Sequence, residues 1–450
     1  MASTYLTRTP SSTGNRRKFT FSAWVKFNFT SLVNNSRIFS IGNSTSDWVS
    51  AYFNSTGTLQ LDVYVGGSGS NITTNRLFRD ENAWYHVVFV VDTENSTADN
   101  RLRMYVNGEE ETSLSSRSNP NVNWDTQANT SGKPVDIGSA ENVGYSPRYF
   151  PGIMSHVHMT DGYAYAASDF GSTDSTTGEW RINTAPSVSY GTNGFFILKD
   201  GNSVTDSSSN SNAFTVAGGT LTKTEDCPSN VFCTMNPLNA VYISFLQGNN
   251  TISGGNNGSD YSYIGSTLAA NSGKFYWEVK AADLAEIDQV GVALASSSFT
   301  GIGLGGGLQN NFGGKSVQFS NGNKAGDSAQ SAHMGGFSED DIMMVALDLD
   351  NNKITFGRNG QWSNGSGGAD QTYANSTAAF TNLTAGEYYM PAHAMRGYGG
   401  NTGISRYNFG NGYFATTAVS SAGTNASNIG IFEYDVPSGF TALSTKGLNL

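Results

Sequence analysis

At 450 residues the chain has room for two or three compact domains. Its formal net charge of −11 is spread without any run of Lys or Arg that could follow a phosphate backbone, so nucleic acid is not an expected partner. Charged residues are only 14%, against 53 Gly, 21 Tyr and 26 Phe, a composition rich in turn and strand formers and thin in those of long helices.

Apolar and polar residues alternate in short runs from one end to the other, as in Phe19 to Phe27, Leu59 to Val65, Trp84 to Val91 and Leu102 to Val106. Runs of this kind, separated by Gly, Asn and Ser clusters, predict an all-β chain of sandwich or jelly-roll type with helices of one or two turns at most. The strand pattern is interrupted between Gly218-Gly219 and the Gly/Asn-rich run Gly248 to Gly258. The expected organisation is therefore a first sandwich over residues 1–215, a connecting segment over 216–265 and a second sandwich over 266–450. Cys227 and Cys233 are too few for a disulfide scaffold or a four-ligand zinc site and are expected as reduced thiols. No stretch reaches the ~18 apolar residues of a membrane span, and Met1-Ala2-Ser3-Thr4-Tyr5 lacks the features of a signal peptide. The expectation is a protein made in a cytosol and not inserted in a membrane.

Four ordered segments in the first half are Phe19 to Lys26, Trp84 to Val88, Met104 to Gly108 and Phe150 to Met154. They resemble the laminin-G-like, concanavalin A-like jelly roll, with Trp as an inter-sheet filler and Val106-Asn107-Gly108 as a hairpin signal. Ser272 to Val279, Val290 to Ala293, Asp341 to Asp350, Ile354 to Trp362, Tyr389 to Ala392 and Tyr407 to Gly410 are similar to the SPRY sandwich. Further segments are Tyr5 to Pro10, Gly14 to Arg17, Arg79 to His86, Thr160 to Gly162, Ser189 to Phe195, Asp206 to Ser208 and Val436 to Leu450. These resemble phage proteins known as tail fibre or virion structural proteins, over nearly the whole chain.

Concanavalin-like folds include glucanases, so a pair of carboxylates has to be sought. Glu286 and Asp288 alternate on one strand face, but the glucanase pattern needs another Glu three residues after the Asp, where Gly291 stands. The pair is expected to be a solvated strand edge and the chain not to be an enzyme. His156 and His158 share a face of the presumed strand Met154 to Met159 without a visible third ligand, so zinc is not expected. His86 is expected as a packed, hydrogen-bonded strand residue. The glycine-rich Gly301 to Gly314 lacks the Gly-Lys-Ser/Thr of a phosphate loop and is expected as a surface loop.

No cofactor is required. The jelly-roll resemblance makes calcium the ion to look for, with Asp47, Asp92, Asp99 and Asn100 as candidate ligands, each expected first as a turn residue. Glycan binding needs exposed aromatic faces beside hydrogen-bonding groups, and the candidates are Trp48, Tyr52, Trp124, Tyr145 and Tyr149. The SPRY resemblance implies protein binding through loops such as Gly301 to Gly314 and Gln361 to Gly368.

The expected function is structural and adhesive. The chain would lie on the outer surface of a bacteriophage virion, fibre- or tail-associated, after synthesis in the bacterial cytoplasm, and would bind a host-surface glycan or protein. A capsid-bound decoration protein is the alternative, favoured by a jelly-roll pattern that starts within the first residues and leaves no shaft or coiled coil. A host-glycan-degrading enzyme is the third reading. Other virion proteins are expected partners, and a homo-trimer is the prior for a fibre.

Overall fold

A computed structural model describes residues 4–27, 35–80, 83–145, 148–199, 201, 203–246, 248–255, 260–299, 306–326, 330–397 and 401–449. The chain is nearly all β and divides into two compact units, Met1–Lys223 and Thr224–Leu450. Among the described residues the α-helix content is a single turn, Leu308–Asn311, and no helix is long and apolar enough to cross a membrane.

The first unit is a two-sheet sandwich. Among the described residues one sheet has eight strands in the spatial order Leu114–Ser118, Ser68–Thr74, Leu59–Val65, Trp48–Phe53, Ser36–Gly42, Val135–Ile137, Tyr5–Arg8, Thr215–Gly218. The other has six, Phe195–Ile197, Gly152–Asp161, Lys18–Phe27, Tyr85–Asp92, Leu102–Val106 and Glu109–Glu110. Alternation decides what lies between them. Phe19, Phe21, Ala23, Val25 and Phe27 point into the core with Phe39, Phe53, Val87, Phe89 and Val91, and the rings of Phe21 and Phe39 stack at 4.1 Å. Trp24 belongs to the opposite set. It does not fill the space between the sheets but stacks on His86 outside them, beneath the segment that carries Phe170 and Trp180. The hairpin after Val106 turns through Asn107 and Gly108, both at positive φ, as a type I′ turn requires.

The second unit is also a sandwich. Its first sheet runs Met235–Val241, Ser262–Ser266, Tyr389–Arg396, Ile287–Leu294, Lys315–Gln318, Asn323–Ala325, Ser331–Ala332. The second runs Ile243–Leu246, Thr251–Gly254, Gly403–Asn408, Lys274–Asp283, Ile342–Asp348, Lys353–Arg358, Gln361–Ser363, Ala369–Gln371. Trp277, Val279, Val290, Val292, Val345 and Phe356 fill the core. A separate apolar layer of Phe432, Val436 and Phe440 lies against Tyr276, Met344 and Trp362.

The described strands within the segment 216–265, expected as a connection, belong to the sheets instead. Thr215–Gly218 pairs with Tyr5–Arg8, and the strands from Met235 to Ser266 form the outer members of both sheets of the second unit. Gly and Asn mark turns between short strands as readily as they mark linkers, so composition does not separate the two. Both cysteines are free, and burial pushes the Cys233 thiol up to about 11.

Candidate functional site

The segments Gly14 to Arg17, Thr160 to Gly162, Ser189 to Phe195 and Asp206 to Ser208, far apart in sequence, meet at one end of the first sandwich. Asp161 ends the strand Gly152–Asp161 and is buried, at 4% exposure. Its carboxylate accepts the backbone N–H of Asn15 at 2.7 Å through Oδ1 and that of Asn193 at 3.0 Å through Oδ2. Burial pushes its pKa up, and these backbone N–H groups hold it back. The approach is so close that a Cβ on Gly14 would lie 1.9 Å from Asp161 Oδ2.

The surrounding amides close the cluster. Asn193 Nδ2 donates to the carbonyls of Ser12 and Asn129. Asn210 donates to Gly191 and Gly194, and Asn212 to Thr192 and Gly194. Asp206 accepts the N–H groups of Phe196, Ser208 and Asn212. The guanidinium of Arg8 donates to the side chain of Asn212 and the carbonyl of Asn193. Buried loop backbone requires such partners, because an unpaired polar group away from water is costly. Over the cluster lies a shallow depression of about 340 Å³, walled by Asn15, Asp161, Tyr163 and Thr192.

The aromatic candidates lie elsewhere, and two are not exposed. Trp48 and Tyr52 are 3% and 4% accessible. Trp48 stacks on Tyr64 at 4.6 Å, Tyr145 meets it edge-on, and Ala140 and Val143 pack beside it. Tyr52 donates to Asp62 at 2.6 Å, and the Arg37 guanidinium lies 3.9 Å from its ring centre. These residues do face outward from the sheet, but the segment from Ala140 to Tyr145 covers that face. Tyr145, Tyr149 and Trp124 are half-buried, and Tyr149 contacts Glu141 and Tyr5.

The calcium candidates fall in two places, Asp47 in the turn before the strand Trp48–Phe53 and Asp92, Asp99 and Asn100 at and after the end of the strand Tyr85–Asp92, and the carboxylates serve the chain. Asp47 accepts the N–H of Gly66, Asp92 that of Glu94 and the Lys18 ammonium, and Asp99 the Asn119 amide and Arg117. Asn100 lies in the exposed one-turn helix Ala98–Asn100. Among the described residues no three His, Cys, Asp or Glu side chains gather as a metal group.

A bulge between Ser155 and His158 breaks the strict alternation expected for His156 and His158, with His156 at φ 48°. His156 Nδ1 contacts Ser155 Oγ at 2.8 Å, while His158 bonds Tyr190 at 2.9 Å and stacks on Phe196. Burial holds the His158 imidazole well below its usual pKa.

The carboxylates considered for hydrolysis do not form a cleft. Glu286 is exposed, whereas Asp288 is fully buried, not at a solvated edge, and bonds His393, whose other nitrogen bonds Tyr407 at 2.7 Å. Gly301 to Gly305 lie outside the described residues; the rest of that run holds the turn Leu308–Asn311, whose Leu308 N–H donates to Gln289.

Residues 2–169 match the family profile described as the Concanavalin A-like lectin/glucanases superfamily. Asp161 lies inside that match, while the partner segments from Ser189 onward lie beyond it. No curated protein matches the chain. Among solved structures, the SPRY domain of human HERC1 is similar at 17% identity and TM-score 0.30, over 38% of this chain and 96% of that one. The SAP-like pentraxin from Limulus polyphemus is similar at 23% identity and TM-score 0.28, over 37% of this chain and 72% of that one. The TRIM65 PSpry domain is similar at 15% identity and TM-score 0.28, over 39% and 91%.

Proposed function

We propose that this chain is a non-enzymatic structural protein on the exterior of a bacteriophage particle, fibre- or tail-associated, which adheres to the host surface through the loops of its first sandwich. The supporting observation is the convergence of Gly14 to Arg17, Thr160 to Gly162, Ser189 to Phe195 and Asp206 to Ser208. Four of the segments that carry the resemblance to virion proteins build one loop cluster around Asp161. Rigid loops on a β scaffold are the usual carriers of recognition. A binding role without catalysis is consistent with Asp288 being buried against His393 rather than facing a cleft. In this reading the chain works without a metal, assembles as a homo-trimer, and contacts other virion proteins through a globular face.

Cryo-electron microscopy of the intact particle tests the reading by locating the chain and counting its copies. Copies at fibre ends or the tail tip, with the Asp161 loops facing outward, support it. Regular copies on the capsid lattice would replace adhesion by decoration, and absence from the particle would overturn the virion assignment.

A further inference from the structure

The cluster around Asp161 consumes most of its own polar groups. Asp161 takes two backbone N–H groups, Asn15 Oδ1 takes those of Arg17 and Lys18, and the amides of Asn193, Asn210 and Asn212 all go to carbonyls. Among the described residues, three side-chain groups at the depression are left over. Asn15 Nδ2 sits beside Gly162, 4.0 Å from where a Cβ on that glycine would be. Thr192 Oγ1 and the Tyr163 hydroxyl stand at the exposed rim. Donors and acceptors that the fold does not use, set around one concavity, are what a polar ligand requires.

Tyr163 adds an apolar face. The residue is 42% exposed, and its ring lies nearly parallel to that of Tyr165, with centroids 5.6 Å apart and 17° between planes. Tyr165 is itself held by its hydroxyl, which accepts the Ser189 N–H at 2.9 Å. The backbone of Tyr163 is fixed by Thr20 and Thr160, whose hydroxyls both donate to its carbonyl. The result is a supported aromatic platform next to an amide donor and two hydroxyls.

We propose that this depression binds one neutral pyranose unit of a saccharide, with a C–H face of the sugar on Tyr163 and its hydroxyls on Asn15 Nδ2 and Thr192 Oγ1. The buried Asp161 carboxylate in the wall disfavours an anionic sugar. The site rests on the adhesive reading and names its ligand class, on residues that differ from the aromatic candidates of the sequence.

The test is saturation-transfer NMR of the full-length protein with a panel of neutral methyl hexopyranosides at millimolar concentration, beside uronic acids as the charged comparison. One neutral glycoside receives transfer at its ring C–H protons. Tyr163→Ala weakens that binding about tenfold, as expected for loss of one stacked aromatic face, with an unchanged unfolding curve. Thr192→Val, which keeps shape and removes the hydroxyl, weakens it by a smaller factor and guards against a folding defect in the first variant. Binding at full strength in both variants, preference for the uronic acids, or no transfer from any neutral glycoside overturns the saccharide site. Each of those results leaves the virion assignment standing, since the particle reconstruction decides that separately.

Discussion

Trp180 donates its indole N–H to Nδ1 of His86 at 3.0 Å. That bond makes Nδ1 the acceptor, so the proton of the neutral ring sits on Nε2 and is donated to Ser22 Oγ at 2.9 Å. Trp24 and Trp180 flank the imidazole, with centroids at 5.0 and 5.9 Å. Burial drives the His86 pKa down to about 3.

His86→Leu leaves the Trp180 donor and the Ser22 acceptor without a partner and lowers stability at neutral pH by about 1–3 kcal/mol. The pH dependence has a definite sign. The folded ring stays neutral while the unfolded one takes a proton below its usual 6.5, so the stabilisation is complete above that pH and is lost as pH falls toward 3. Urea unfolding followed by tryptophan fluorescence at pH 7.5 and 4.5 is expected to show the difference between natural and variant protein shrinking at the lower pH.

Glu278 has the opposite sign. It is fully buried and accepts the N–H groups of Glu433 and Tyr434, the Tyr276 hydroxyl and the Asn408 amide. Burial still wins and raises its pKa from 4.5 to about 7. Its contribution is full below 4.5 and lost as pH rises through 7. Glu278→Gln is expected to flatten this part of the slope, measured by calorimetry of the full chain between pH 5 and 8. An identical slope in the variant would show that Glu278 does not titrate in that range.

Asp161→Asn replaces one of two acceptor oxygens by a donor and exposes a backbone N–H to it. The cost is about 1–3 kcal/mol, and hydrogen exchange is expected to quicken at Asn15 and Asn193. Gly14→Ala forces a Cβ against the same carboxylate and should destabilise comparably. The double variant is expected to cost less than the sum of the two, which a double-mutant cycle measures directly.

Asp288→Ala removes the partner of a buried imidazole, an interaction whose loss costs on the order of 3 kcal/mol. The expected outcome is lower stability of the second unit with saccharide binding unchanged. A change in binding or in glycan turnover would point to a role for Asp288 outside the core.

Strands were legible because alternation is a local signal. The runs Leu59 to Val65 and Leu102 to Val106 coincide with strands, and Phe19 to Phe27 lies within the strand Lys18–Phe27. Period two also gives the face of each residue, but not whether another segment covers that face. Trp48 and Tyr52 therefore read as exposed, and Trp24 as inter-sheet, until the covering segments around Ala140 and Trp180 are known. Asp161 stood out only as part of a resemblance. Its partners Asn15 and Asn193 lie 146 and 32 residues away, and no local spacing announces such a meeting.

In each unit the two ends of the chain are stitched together. Thr215–Gly218 pairs with Tyr5–Arg8, while in the second unit Phe232 bridges Ser444 and the Cys233 N–H donates to Leu443. Neither sandwich can close before its last strand has left the ribosome. For the first unit, ending at Lys223, synthesis alone takes on the order of ten seconds or more at about 5–20 residues per second. Throughout that interval the faces of Phe21, Phe39 and Phe89 lack the edge that completes their sheets, so yield in expression is expected to depend on chaperone supply and translation speed more than on equilibrium stability.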